Sequence, residues 1–185
     1  MKEGPPALLV IGIHREELAF GRSVAGSLDR GRVAVLEIPE GLSGARPLPD
    51  QLFRYEALHQ ALYLQLLPHA RGHYALLIDL HTGFDSQGPS ADLITADVNL
   101  QRCLHKALAG ASGERVRVIP LGTGGALATR TVIPELIWHN PDFAYVGIEL
   151  YLPDGRAGWT RALALARKVI EMILACRAPA AVARP

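Results

Sequence analysis

The sequence predicts a single α/β domain of three layers, with helices on both faces of a mostly parallel or mixed central sheet. The chain has 185 residues, which is the length of one domain. Short apolar runs alternate along it with longer segments of helical periodicity. The first run, residues 7–13 (ALLVIGI), is apolar throughout, as expected of a strand that is buried on both faces. We expect the domain to span residues 1–176 and residues 177–185 to form a frayed C-terminal tail.

The first half of the chain predicts two helices and two further strands. A helix over residues 17–28 follows the first strand, and a second strand covers residues 32–38. Three prolines and two glycines make residues 39–49 a loop. Asp50 is a suitable N-cap for a helix that runs to residue 67, and a third strand covers residues 74–80. The stripe that we expect this second helix to bury consists of Leu52, Ala57, Leu58, Ala61, Leu62 and Leu66.

The second half of the chain continues the alternation. A polar, glycine-bearing segment over residues 82–91 predicts a loop, and residues 98–108 predict a helix. Short strands follow at residues 115–119 and 145–150. The clearest helical pattern of the chain covers residues 160–175.

Composition excludes several classes of protein. Lys and Arg number 19 and Asp and Glu 18, so a net charge of +1 leaves no basic surplus for binding nucleic acid. No apolar run near the start suits a membrane span or a signal peptide, so we expect a cytoplasmic protein without a membrane partner. Cys103 and Cys176 lie far apart in the sequence and form no CxxC pair, which excludes a disulfide scaffold and a cysteine-rich zinc finger.

Three of the five predicted strands deliver a metal-binding or proton-transferring residue at their carboxyl ends, where ligands bind in such sheets. The first strand runs into His14, with Glu17 three residues later in the first turn of a helix. The third strand ends in Asp79 and His81, and the fifth in Glu149. Two imidazoles and one carboxylate, with a fourth position left to water, form a recurring catalytic zinc site.

Each of these residues alone also fits a structural role. The HxxE pattern often occurs by chance, a histidine after a strand is commonly a capping or surface residue, and Glu149 could be a charge at a strand end. Placement at equivalent ends of separate strands raises the odds of the metal site until they equal those of these alternatives, and both stay open at this point.

Three motifs resemble those of the zinc carboxypeptidase superfamily, in particular its aspartoacylase and succinylglutamate desuccinylase branch. Residues 12–21 (GIHREELAFG) are similar to its first metal motif, which typically reads G-x-H-G-N-E-x-x-G. Residues 78–83 (IDLHTG) are similar to its D-L-H motif. Residues 146–150 (VGIEL) are similar to the late strand that carries its catalytic glutamate. The order and approximate spacing agree over residues 12–150.

The resemblance implies a zinc-carboxypeptidase-like (phosphorylase/hydrolase-like) fold and a zinc hydrolase that cleaves an amide bond next to a free carboxylate. His14, Glu17 and His81 would hold one Zn²⁺ ion. Glu149 would activate the zinc-bound water and return the proton to the leaving amine. The substrate would be a small molecule, either an N-acyl amino acid or a short peptide.

The same resemblance implies arginines that bind the substrate carboxylate. The family's N-R pair is missing here, and residues 50–54 (DQLFR) only faintly resemble its D-L-N-R. We expect Arg54 to bind the oxyanion or the carboxylate and Arg46 to be the second candidate; a solvated surface arginine is the alternative for both. Asp79 shares a strand face with His81 and could orient a metal ligand or an arginine, or be a structurally paired buried carboxylate.

Departures from the family pattern leave other functions open. Arg15 and Glu16 replace the G-N pair, and only a helix and a tail follow Glu149, so the cleft would be more open or closed by a second subunit in a homo-oligomer. A catalytically altered relative that binds a small ligand or a protein partner is therefore the alternative function. A third hypothesis, nucleotide binding, rests only on residues 122–125 (GTGG), for which a flexible turn is the better interpretation.

Overall fold

A computed structural model describes residues 5–110, 115–122 and 131–177 of the chain. Its centre is a six-stranded sheet, and helices cover both faces, so the predicted three-layer α/β fold is confirmed. The strands are β1 (Ala7–Ile11), β2 (Val33–Glu37), β3 (Leu76–Phe84), β4 (Ser90–Thr95), β5 (Arg115–Pro120) and β6 (Ala144–Leu152). The helices are α1 (Leu18–Gly26), α2 (Leu52–Leu64), α3 (Leu67–Ala70), α4 (Val98–Ala109), α5 (Glu135–Trp138) and α6 (Gly155–Arg177).

The sheet is mixed, in the order β2-β1-β3-β6-β4-β5. All neighbouring strands are parallel except β4 and β6, which are antiparallel. The parallel pairing of β3 with β6 sets His81 beside Glu149, and Asp79 beside Gly147. Because alternate residues of a strand share a face, these side chains all project from the same side of the sheet.

The two faces of the sheet have separate apolar cores. On one face, β-strand residues such as Leu9 and Ile148 pack against α1, α4 and α6. On the other face, Val10, Leu77 and Tyr145 pack with residues of α2, α3 and α5. His81 and Glu149 project from this second face, so the short helices and the loops around them surround the candidate site.

Two strand predictions need correction. Residues 82–84 continue β3 past His81 instead of opening a loop, and β4 was not predicted at all. The sequence of β4 (SADLIT) does not read as a buried strand because Asp92 interrupts its apolar residues. In the fold, Asp92 is buried and forms two 2.7 Å hydrogen bonds with Arg117 on the neighbouring strand, which offsets the cost of burying a carboxylate.

The predicted buried stripe of α2 is wrong for most of its members. Leu52 and Leu58 are 47% and 44% exposed, and Ala57 and Ala61 are exposed as well, whereas His59 and Tyr63 are the buried residues of this helix. The helix carries apolar residues all round, so periodicity did not identify the inward face. Asp50 is also not the N-cap, because it lies within a 3₁₀ turn (Pro49–Gln51) that precedes the helix.

The two cysteines form a disulfide, a pairing that their spacing in the sequence did not predict. Cys103 of α4 and Cys176 of α6 are bonded, with their Cα atoms 5.7 Å apart. Packing of α4 against α6 on the same sheet face brings together residues that are 73 positions apart. One bridge is not a disulfide scaffold, but it is a covalent cross-link between α4 and α6.

The remaining predictions concern the ends of the chain and its membrane character. Arg177 ends α6, and residues 178–185 lie outside the described residues, as does most of the predicted glycine turn at 121–126. Within the described ranges, no helix combines the length and the apolar character that crossing a bilayer requires.

Candidate metal centre

The first part of the site is built where β1 ends. Gly12 adopts a positive φ of 85°, and a Cβ atom there would lie 2.5 Å from the carbonyl oxygen of Ile38, so the chain can turn here only with glycine. His14 follows, and a 3₁₀ turn over Arg15–Glu17 brings Glu17 back towards it. The His14 Nδ1 atom lies 3.0 Å from Oε1 of Glu17.

The second part comes from β3. The Nδ1 atom of His81 lies 3.1 Å from Oε2 of Glu17, so the two histidines approach the same carboxylate through the same type of ring nitrogen. One ligand atom from each of His14, Glu17 and His81 lies within 4.8 Å of the others. Two imidazole nitrogens and one carboxylate are the donor set of many catalytic zinc sites, so these residues could hold that ion. The structure therefore brings together the three side chains that the sequence nominated.

Asp79 lies behind His81, fully buried. Its Oδ2 atom is 2.9 Å from Nε2 of His81 and accepts hydrogen bonds from the hydroxyls of Tyr63 (2.7 Å) and Tyr145 (3.0 Å). Its Oδ1 atom has no hydrogen-bond partner among the described residues. A carboxylate that accepts from the outer nitrogen of a histidine fixes the ring orientation and leaves the inner nitrogen free to bind a metal.

His59 of α2 completes the surroundings of His14. Its Nε2 atom lies 3.1 Å from Nε2 of His14, and its Nδ1 atom lies 2.7 Å from the carbonyl oxygen of Tyr55. The rings of Tyr55 and His59 are 3.9 Å apart between centroids. Burial lowers the pKa of His59, and the Tyr55 carbonyl opposes this only in part.

Electrostatics separate the roles of the two glutamates. Burial disfavours ionisation of Glu17, but hydrogen bonds from His14 and His81 outweigh it and lower the pKa of Glu17 to about 2. For Glu149, burial is the largest effect and raises the pKa above the usual 4.5, with His81 opposing and Glu17 reinforcing the shift. Glu17 is thus held as an anion, whereas Glu149 takes up a proton more readily than an ordinary glutamate.

The histidine and tyrosines around Asp79 are also perturbed. Burial opposes a charged His81, yet the carboxylates of Asp79 and Glu17 raise its pKa well above the usual value in the metal-free protein. Burial, assisted by Asp79, raises the pKa values of Tyr63 and Tyr145, so both remain protonated donors.

A glycine lies next to Glu149, so no side chain from that position crowds its carboxylate. A Cβ atom at Gly83 of β3 would lie 3.1 Å from Oε1 of Glu149 and 2.8 Å from the ring of Tyr151. Glu149 makes no hydrogen bond to another described residue, and with His14 and His81 it lines a cavity of about 180 Å³. Its carboxylate is therefore available to a molecule that enters this cavity.

The two predicted arginines do not line the metal cavity. Arg46 and Arg54 line a neighbouring cavity of about 420 Å³, together with Arg15. Tyr55 and His59 line both cavities and form the wall that they share. Among the described residues, neither Arg46 nor Arg54 has a hydrogen-bond or ion-pair partner. Their guanidinium groups are free to bind an anion beside the metal site.

Sequence reasoning missed the residues that contact the candidate metal ligands. Tyr55, His59 and Tyr63 recur every four residues on α2, a spacing that could have identified one polar and aromatic face of that helix. Tyr145 of β6, whose hydroxyl donates to Asp79, was not among the predicted site residues either. Tyr151 contacts the buried Asp92 at 3.2 Å and also lies outside the ligand set.

Comparison with known proteins gives evidence on the fold only. No family model matches the chain, and no curated protein matches its sequence. Mouse aminoacylase 3 is similar in structure, with a TM-score of 0.51 and 18% identity over 91% of this chain and 64% of that protein. The CwlD amidase of Clostridioides difficile, in a complex with the GerS lipoprotein, has a TM-score of 0.49 and 10% identity over 91% and 98% of the two chains.

The likeness to aminoacylase 3 shows a shared fold. Together with the sheet topology, it gives this chain a three-layer α/β/α fold like that of aminoacylase 3, as the sequence predicted. The chain spans less than two thirds of the length of aminoacylase 3. On this fold, two histidines and one glutamate that could bind a metal lie just after β1 and on the neighbouring strand β3.

Proposed function

We propose that this protein is a zinc-dependent hydrolase that cleaves an amide bond next to a carboxylate-bearing amino acid. The observation that carries this proposal is the convergence of His14, Glu17 and His81, with Glu149 beside His81 on the adjoining strand. His14, Glu17 and His81 would hold the ion. A zinc ion bound there would polarise the amide carbonyl and lower the pKa of a bound water to about 7.

The residues of the chain would then supply positioning and proton transfer. Glu149 would accept the proton from the attacking water and return it to the amine that leaves. The raised pKa of Glu149 suits both steps. A carboxylate with a low pKa is a weak base and accepts the proton poorly, although its protonated form donates it readily. Asp79 would hold His81 in the ring orientation that directs Nδ1 towards the ion.

The arginine cavity would receive the carboxylate of the substrate. Arg46 and Arg54 line it without a partner of their own among the described residues, and a guanidinium binds a carboxylate through two parallel hydrogen bonds. Because Tyr55 and His59 stand between this cavity and the metal ligands, the geometry favours Arg54 for carboxylate binding over oxyanion stabilisation.

We predict that Arg54→Ala raises KM for a carboxylate-bearing substrate by about 10–100-fold, the effect of losing a hydrogen bond to a charged group, with little change in kcat. Arg54→Lys should not bring KM back to the wild-type value, since an ammonium lacks the two parallel N–H donors of a guanidinium. Steady-state kinetics on the acid and on its amide-capped form measure this effect, and Arg30→Ala, at an exposed turn, is the matched control. An unchanged KM in Arg54→Ala, with a raised KM in Arg46→Ala, would transfer the role to Arg46.

The function itself is tested by incubating the zinc-loaded protein with a panel of N-acyl amino acids and short peptides. The proposal predicts release of a free amine, loss of this activity with a chelator, and its return with Zn²⁺. Tight zinc binding without hydrolysis of any panel member would instead support the alternative, a catalytically altered relative that binds a small ligand or a protein partner.

A further inference from the structure

We propose that His59 is a positioning residue for the metal centre: it accepts a hydrogen bond from the outer nitrogen of His14 and so directs the inner nitrogen of His14 towards the ion. This inference rests on the metal site of the proposed function. It adds a residue from α2, an element that contributes none of the metal ligands, and it assigns that residue a role through His14 rather than through the substrate.

The first step is the tautomer of His59. Its Nδ1 atom lies 2.7 Å from the carbonyl oxygen of Tyr55, one helical turn earlier. A carbonyl oxygen can only accept, so Nδ1 carries the hydrogen and donates it. In the neutral ring, the Nε2 atom of His59 is then left with a lone pair and acts as an acceptor.

The second step is the contact with His14. The two Nε2 atoms are 3.1 Å apart, within hydrogen-bond distance. Because the nitrogen of His59 accepts, the Nε2 atom of His14 must donate. The Nδ1 atom of His14 is then the one with a free lone pair, and it is this atom that lies beside Glu17. The Tyr55 carbonyl of α2 therefore fixes the tautomer of His59, and His59 in turn fixes which nitrogen of His14 can bind a metal.

The third step is the comparison between the two histidine ligands. His81 has the carboxylate of Asp79 on its outer nitrogen, whereas His14 has the imidazole of His59 on the same nitrogen. Both arrangements fix an Nδ1 ligand, but only the first adds a negative charge behind the metal. A neutral partner for His14 leaves Glu17 and Asp79 as the anions in hydrogen-bond contact with the two histidines.

Burial and contact with the ring of Tyr55 hold His59 in this orientation. The residue is 3% exposed, and its ring packs against Tyr55 with 3.9 Å between the centroids. A side chain at this position without an acceptor would leave the N–H of His14 unpaired in a partly buried site, which allows the ring to rotate away from the metal.

The test uses His59→Phe, which keeps a ring against Tyr55 but removes the acceptor, and His59→Gln, whose amide oxygen restores one. Zinc dissociation constants are measured by competition with a chromophoric chelator, and the visible spectrum of the Co²⁺-loaded protein reports the ligand geometry. We expect His59→Phe to weaken zinc binding by about 10–100-fold, the usual effect of losing a partner of a metal-bound histidine, and to alter the Co²⁺ spectrum. His59→Gln should recover most of the affinity.

The control is His105→Phe, at an exposed position of α4 on the opposite face of the sheet, which should bind zinc as the wild type does. Circular dichroism of the metal-free proteins establishes that each variant is folded. Wild-type affinity and an unchanged Co²⁺ spectrum in His59→Phe would overturn this inference while leaving the proposed function intact. A wild-type protein that binds neither ion would overturn both.

Discussion

Glu149→Gln is expected to lower kcat by about 10²–10⁴-fold, the usual contribution of a general base, while the protein keeps its zinc. The amide has nearly the volume of the carboxylate but cannot accept the proton of the attacking water. Glu149 lines the cavity beside His14 and His81 and makes no hydrogen bond to another described residue, so the substitution should leave the neighbouring structure intact. Steady-state kinetics together with metal analysis of the purified variant measure both quantities.

A matched control for this variant is Glu171→Gln on α6. Glu171 forms an exposed ion pair with Arg32 on the other side of the sheet, so its neutralisation should leave kcat unchanged. Full turnover in Glu149→Gln would exclude Glu149 as the base. Loss of zinc in that variant would mean that Glu149 contributes to binding the metal and that the ligand set is incomplete.

Replacing both cysteines, as Cys103→Ser with Cys176→Ser, should lower the free energy of unfolding by about 4 kcal/mol. The bridge joins residues 73 positions apart, and a cross-link over a loop of that length removes much conformational freedom from the unfolded chain. Chemical denaturation of the oxidised wild type and of the double variant measures the difference. The metal content should not change, because α4 and α6 cover the face of the sheet opposite to the site.

Reduction of the wild type provides the control for this prediction. A reducing agent should lower the stability of the wild-type protein to that of the double variant and should leave the double variant unaffected. A loss below about 1 kcal/mol in both experiments would show that packing of α4 against α6 alone holds this face together.

Disulfides persist mainly in oxidising compartments, so this bridge also argues against the expected cytoplasmic location, which stays a prediction.

The overall fold could be predicted because its apolar strands are fully buried. Residues 7–13 are a continuous apolar run that contains β1, and residues 145–150, apolar apart from Glu149, lie in β6; both strands are inside the sheet. The strand β4 could not be predicted, since the pairing of its Asp92 with Arg117 depends on a neighbour 25 residues away. Apolar periodicity did not identify the buried face of α2 for a related reason: its buried residues are a histidine and a tyrosine that contact the site rather than the apolar core alone.

The histidines of the candidate centre were predictable because they lie on or shortly after a strand, and Glu17 because it follows His14 by three residues. His14 follows β1, while His81 and Glu149 are register partners on β3 and β6, so topology alone places them at one end of the sheet. The supporting residues were not predictable in the same way. His59 and His14 are 45 positions apart in the sequence. Their contact depends on how α2 packs against the sheet, which no sequence motif indicates.

The central claim is that His14, Glu17 and His81 converge on one divalent ion, and zinc analysis of the purified protein tests it most directly. The wild type should contain one equivalent of zinc after exhaustive dialysis, whereas His14→Ala and His81→Ala should each contain little or none, because two protein ligands do not retain the ion. A full equivalent of zinc in both variants, or none in the zinc-reconstituted wild type, would contradict the account.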